Sequence, residues 1–180
     1  TAQVLQPMVD AMRRRGTPFI GLLYAGLALT SRGVRIIEFN ARFGDPETQV
    51  VLARLESPLG QVLLAAATGH LAALAPLEWR EGAAVTVVIA SEGYPEAPVT
   101  GDPISGIDAA DALEGVRVLH AGTRADDRGQ VLSSGGRVLS VTAIGDSLAQ
   151  ARARAYDGVA RISLRGSHHR QDIALHASGA

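Results

Sequence analysis

The apolar positions begin in a helical rhythm. Val4, Leu5, Met8, Val9 and Met12 recur at the spacing of one helix face, and Gly16 suits a stop, so residues 2–15 are expected to form an amphipathic helix. Arg13, Arg14 and Arg15 fall in its last turn, where cations complement the helix dipole. Residues 19–30 and 34–39 then read as two strands of an antiparallel hairpin, joined at Ser31-Arg32-Gly33. The first strand is rich in Gly and small residues, which permits close approach of backbone or ligand. Strand side chains alternate faces. Glu38 and Asn40 therefore share one face, while Ile37 and Phe39 point the other way, toward a core. Asp45 fits an N-cap, Pro46 a first helical position and Glu47 a first turn, giving a helix over residues 46–55. Ser57-Pro58 repeats the start signal, and Gly69 ends a second helix.

Composition changes after an Ala- and Leu-rich stretch that runs to Pro76. Residues 83–91 are β-branched and suit a buried strand, whereas residues 92–106 carry clustered turn signals and suit a loop. Residues 116–122, 130–133 and 137–144 read as further strands, with Gly135-Gly136 as a hairpin turn. Asp146 is expected to cap a last helix reaching to about Ser163, and a partly ordered tail starts at Gly166. The pattern is that of an α+β chain with two parts, residues 1–75 and 76–180, without an internal repeat.

With 180 residues, 47% hydrophobic and 19% charged, the chain suits a soluble globular protein. A formal net charge of −1 gives no global field for nucleic acid or an anionic membrane. No apolar run approaches a membrane span, no secretory signal is visible, and cytoplasm is the expected place. The absence of cysteine excludes disulfides and thiolate metal sites. All 17 basic residues are Arg, which a coding bias explains more simply than function does.

The candidate chemistry lies between Arg35 and Glu47. A carboxylate at Glu38, an amide oxygen at Asn40 and, one extended step further, a guanidinium at Arg42 suit a hard cation held together with a phosphate. Mg²⁺ prefers oxygen ligands and is often held by one or two side chains plus substrate phosphates. Arg grips phosphate or carboxylate with two parallel hydrogen bonds. Gly44 suits a sharp turn or close approach to a ligand, and a helix N-terminus beyond it would favour an anion.

This segment resembles the metal-binding strand and loop of the ATP-grasp ligases. The string Arg42-Phe43-Gly44-Asp45-Pro46-Glu47-Thr48-Gln49 resembles the phosphoribosylamine–glycine ligases (glycinamide ribonucleotide synthetases) of purine biosynthesis in particular. Gly21-Leu22-Leu23-Tyr24-Ala25-Gly26-Leu27, Gly93-Tyr94-Pro95, Thr100-Gly101-Asp102, His120-Ala121-Gly122-Thr123 and Gly135-Gly136-Arg137-Val138-Leu139 agree with it. The resemblance implies the C-terminal part of an ATP-grasp domain followed by a small α/β domain. It implies Mg²⁺ or Mn²⁺ at Glu38 and Asn40. ATP, glycine and 5-phosphoribosylamine would be the substrates, with the remainder of the same enzyme as partner. The ATP-grasp Lys that holds ATP phosphates has no counterpart here, which suggests a fragment.

Alternatives stand beside each assignment. The resemblance implies that Arg42 holds the transferred phosphoryl group or the acyl phosphate, and the residues alone leave a structural ion pair with Asp45 or Glu47 open. Asp45 serves as helix cap, substrate ligand or both, and Gly44 is counted with it as a substrate contact. Tyr24 stands where many ATP-grasp enzymes carry an acidic metal ligand, so it packs or hydrogen-bonds instead. His168, His169 and His176 read as solvated tail, since no carboxylate or Cys completes a metal spacing. His120 reads as a core or interdomain histidine, and the resemblance implies that Arg137 and the Tyr94 loop border the substrate cleft. Another ATP-grasp ligase or carboxylase is the runner-up function, and a non-catalytic module is the reading of a different class.

Overall fold

The computed structural model describes residues 2–177. The chain divides into two compact units. One comprises residues 1–48 and 55–78, the other residues 49–54 and 79–180.

The first unit opens with helix α1 (Leu5–Arg14), whose last turn holds Arg13 and Arg14. Strands β1 (Tyr24–Thr30) and β2 (Gly33–Asn40) form an antiparallel ribbon turning at Ser31-Arg32. Its register shifts between Gly26 and Leu27: Gly26 faces Glu38, but Leu27 faces Ile36. Ile37 is therefore the extra residue of a β-bulge. It is 71% exposed, which corrects the expectation that it points into a core with Phe39. Helix α2 (Glu47–Arg54), whose residues 49–54 are counted with the second unit, starts one residue later than expected; Pro46 belongs to the preceding turn, and the Asp45–Pro46 peptide is cis. Helix α3 (Leu59–Thr68) ends at Gly69 in the left-handed region, as the glycine foretold. Its start is not capped by Ser57, whose Oγ accepts from the Glu78 N–H at 2.8 Å. A 3₁₀ turn spans Leu71–Ala73.

The second unit is built on strand β7 (Arg137–Gly145), which pairs antiparallel with both β3 (Ala83–Ala90) and β4 (Val116–His120). Helix α5 (Leu148–Val159) packs across this sheet. Ala151, Ala155 and Gly158 lie on its inner side, small enough to bring the helix close to Val141 and Val116. Val85, Val87, Ile89, Val118, Val138 and Leu139 belong to the same core. Helix α4 (Ile107–Asp111), unexpected from sequence, adds the fully buried Ala110. Strands β5 (Thr123–Ala125) and β6 (Val131–Ser133) form a separate ribbon.

Several expectations are corrected here. Gly135-Gly136 is not a hairpin turn, because β6 pairs with β5 while β7 pairs with β3 and β4; the glycines carry the chain from one sheet to the other. Ser147, not Asp146, caps α5: its Oγ accepts from the Gln150 N–H at 3.2 Å, and Gln150 Oε1 accepts in return from the Asp146 N–H at 2.6 Å. The tail is anchored. His168 and Ala90 exchange backbone hydrogen bonds of 3.0 and 2.9 Å, and Arg152 donates to the carbonyls of Gln171 and Ile173. The last part of the expected tail, residues 178–180, lies outside the described residues.

Candidate functional site

The site residues collect on one face of the β1–β2 ribbon and on the loop that leaves it. Directly opposite residues of an antiparallel pair point to the same face, so Tyr24, Gly26, Glu38 and Asn40 share one. Glu38 and Asn40 are joined: Asn40 Nδ2 donates to Glu38 Oε1 at 2.8 Å. Gly26 leaves room for the Glu38 stem, since a Cβ at Gly26 would lie 3.1 Å from Glu38 Cγ.

Arg42 and Asp45 follow on the exposed loop of residues 41–46. The Arg42 guanidinium turns back and donates to the Phe43 carbonyl at 2.8 Å. Gly44, by contrast, is buried. A Cβ there would lie 2.5 Å from Glu47 Oε2, so the Glu47 carboxylate occupies the space beside it. The other oxygen of Glu47 accepts from the Tyr24 hydroxyl at 3.1 Å. That hydrogen bond is the main cause of a Tyr24 phenol held above its ordinary pKa. Desolvation and the charges of Glu47 and Glu38 add to the rise, and Arg42 opposes it. Tyr24 and Glu47 thus belong to the same cluster as Glu38 and Arg42, a connection that no short motif announced.

The donor set suits a hard cation. One carboxylate and one carboxamide oxygen on adjacent same-face positions match the way Mg²⁺ is held with substrate phosphates. Rotation of the Asn40 amide would exchange its nitrogen for its oxygen beside Glu38. Among the described residues no three His, Cys, Asp or Glu side chains group as a metal cage.

The remaining candidates lie in the second unit. His120 is exposed, with Nδ1 at 2.9 Å from Thr123 Oγ1, and is not a core residue. His168 lies on the exposed tail, and His169 tilts against the Tyr156 ring with centroids 6.1 Å apart. Tyr94 lies over Gly136, where a Cβ would collide with its ring. No described helix is long and apolar enough to cross a membrane.

The fold recurs in N5-carboxyaminoimidazole ribonucleotide synthetase of Thermotoga maritima, at a TM-score of 0.61 and 17% identity over 90% of this chain and 40% of that one. Mixed helices and antiparallel sheet are therefore the class to which this chain's architecture belongs. Residues 1–48 match the ATP-grasp (A) domain of phosphoribosylglycinamide synthetase, and residues 84–176 match its C domain. The chain belongs to the phosphoribosylglycinamide synthetase family. The phosphoribosylamine–glycine ligase of Streptomyces coelicolor is 68% identical over 98% of this chain and 43% of its own length. The crystal structure of the Thermotoga maritima phosphoribosylamine–glycine ligase superposes with a TM-score of 0.77 at 33% identity, over 92% of this chain and 40% of that one. The chain thus spans about two fifths of the length of the relatives it matches.

Proposed function

We propose that this chain is the C-terminal part of an ATP-dependent ligase that joins glycine to 5-phosphoribosylamine. The glycine carboxylate attacks the γ-phosphate of ATP and ADP leaves. The ribosyl amine then attacks the acyl carbon, phosphate leaves, and the nitrogen loses a proton to give glycinamide ribonucleotide. The protein positions the reactants and neutralises charge.

The observation that carries this reading is the hydrogen-bonded Glu38–Asn40 pair, with Arg42 on the loop just beyond it. Glu38 and Asn40 would hold Mg²⁺ or Mn²⁺, which when bound supplies charge neutralisation at the ATP phosphates. Arg42 would swing from the Phe43 carbonyl onto the transferred phosphoryl group or the acyl phosphate. Gly44 and Asp45 would border the substrate. The remainder of the enzyme would bring the other ATP contacts and cover the ribbon, a role supported by the exposed Leu29, Ile36 and Ile37. Cytoplasm is the compartment that fits this substrate set.

The test is product formation. The intact enzyme should make glycinamide ribonucleotide from ATP, glycine and 5-phosphoribosylamine, and the purified 180-residue chain alone should make none. Robust turnover by the isolated chain, or none by the intact enzyme, sinks the reading.

A further inference from the structure

We propose that Tyr24 and Glu47 are positioning residues, a brace that fixes the loop of residues 41–46 and with it Arg42. The role rests on the ligase reading above.

Three contacts meet at Glu47 and Gly44, where this loop ends. The Tyr24 hydroxyl, from the position opposite Asn40, reaches Glu47 Oε1 at 3.1 Å. Glu47 Oε2 fills the space beside Gly44 that a side chain would need. The Thr48 N–H donates to the Gly44 carbonyl at 3.1 Å. Gly44 is therefore flanked by the carboxylate and hydrogen-bonded to the first turn of α2. The loop leaves β2 at Asn40 and is tied back to β1 through Glu47 and Tyr24. Arg42 sits between these two anchors, so its distance from Glu38 and Asn40 depends on both. Severing the second anchor frees the Gly44 end while leaving Glu38 and Asn40 in their strand. Displacement of a charged group by about 1 Å is enough to reduce a rate by up to ~100-fold.

The division of labour makes a specific kinetic pattern. Tyr24→Phe keeps the ring and removes only the hydroxyl. In the intact ligase it should lower kcat about tenfold and leave the KM for Mg-ATP within about twofold, because ground-state binding through Glu38 and Asn40 survives. Glu47→Ala should do the same. Glu47→Gln keeps an oxygen acceptor for the phenol and should restore most of the lost kcat. The double variant Tyr24→Phe/Glu47→Ala should be no slower than Glu47→Ala, since the alanine has already removed the partner of the phenol. A readout without metal or substrate is amide hydrogen exchange at Thr48, whose bond to Gly44 the brace protects. Exchange should quicken in Tyr24→Phe and not in Glu47→Gln.

Wild-type kcat and unchanged Thr48 exchange in Tyr24→Phe overturn the proposal. So do effects that multiply in the double variant. A wild-type enzyme that forms no product overturns the ligase reading and this role with it, whereas an active wild type with an indifferent Tyr24→Phe overturns the brace alone.

Discussion

Arg165 grips Asp102 with two parallel hydrogen bonds, Nε to Oδ1 at 2.9 Å and Nη2 to Oδ2 at 3.0 Å. Its Nη1 reaches Glu92 at 2.9 Å. The arginine thereby ties both ends of the long loop after β3 to the segment that follows α5. Arg165→Lys keeps the charge but loses the planar fork. It should lower the melting temperature by a few degrees and quicken amide exchange at Asp102 and Val99, with the sheet signals unaltered. An unchanged melting curve would make this network a surface ornament, as many exposed ion pairs are.

Glu38→Gln retains the shape of the side chain and its place beside Asn40 but removes the charge. In the intact enzyme, turnover should fall on the order of 100-fold, the scale of losing one preorganised electrostatic contact. The Mg²⁺ concentration for half-maximal rate should rise, and circular dichroism should stay that of wild type. Unaltered Mg²⁺ dependence would leave Glu38 as a strand-end carboxylate.

Arg42→Lys separates chemistry from structure. If the guanidinium grips the phosphoryl group as it moves, kcat should fall more than the KM for ATP rises. A loss of thermal stability with near wild-type kcat well below the melting point would remove Arg42 from the reacting centre.

Gly158→Ala sets two known effects against each other. Alanine favours a helix interior by about 1 kcal/mol over glycine. Here its Cβ would lie 2.7 Å from Val141 Cγ1 and 3.0 Å from Val116 Cγ1, in the buried face of α5. Overpacking of that kind costs about 1–3 kcal/mol. Net destabilisation is expected by denaturant melts, with Gly158→Ala/Val141→Ala recovering part of it; a stabilised single variant would refute the close packing.

Local signals carried much of this structure. Gly69 marked a helix end, the hairpin turn lay at Ser31-Arg32, and the apolar run of β3 is a buried strand. The bulge at Ile37 was not legible, and it matters most. Counting back from the turn without it sets Tyr24 opposite Phe39; the extra residue moves Tyr24 opposite Asn40, onto the face of Glu38. Nothing in the neighbouring residues dictates that slip. The cap of α5 follows a local pattern: Ser147 with Gln150 three residues on is Ser-x-x-Gln, and this reciprocal pair displaces the adjacent Asp146 as the cap. Gly135-Gly136 has hairpin chemistry, and only the pairing of β7 with two distant strands excludes it. The tail lacks periodicity because its anchors are backbone carbonyls held by Arg152 and Tyr156, which any sequence can offer.

The central place of β7 also has a consequence during synthesis. Ala83 pairs with Gly145 and Ala90 with Arg137, so β3 leaves the ribosome long before its partner exists. Until then Ala83–Ala90, apolar, β-branched and without charge or proline, is an open strand of the kind that seeds aggregation. A message broken anywhere between the codons for Ala90 and Arg137 would thus release a sticky product rather than a merely inactive one.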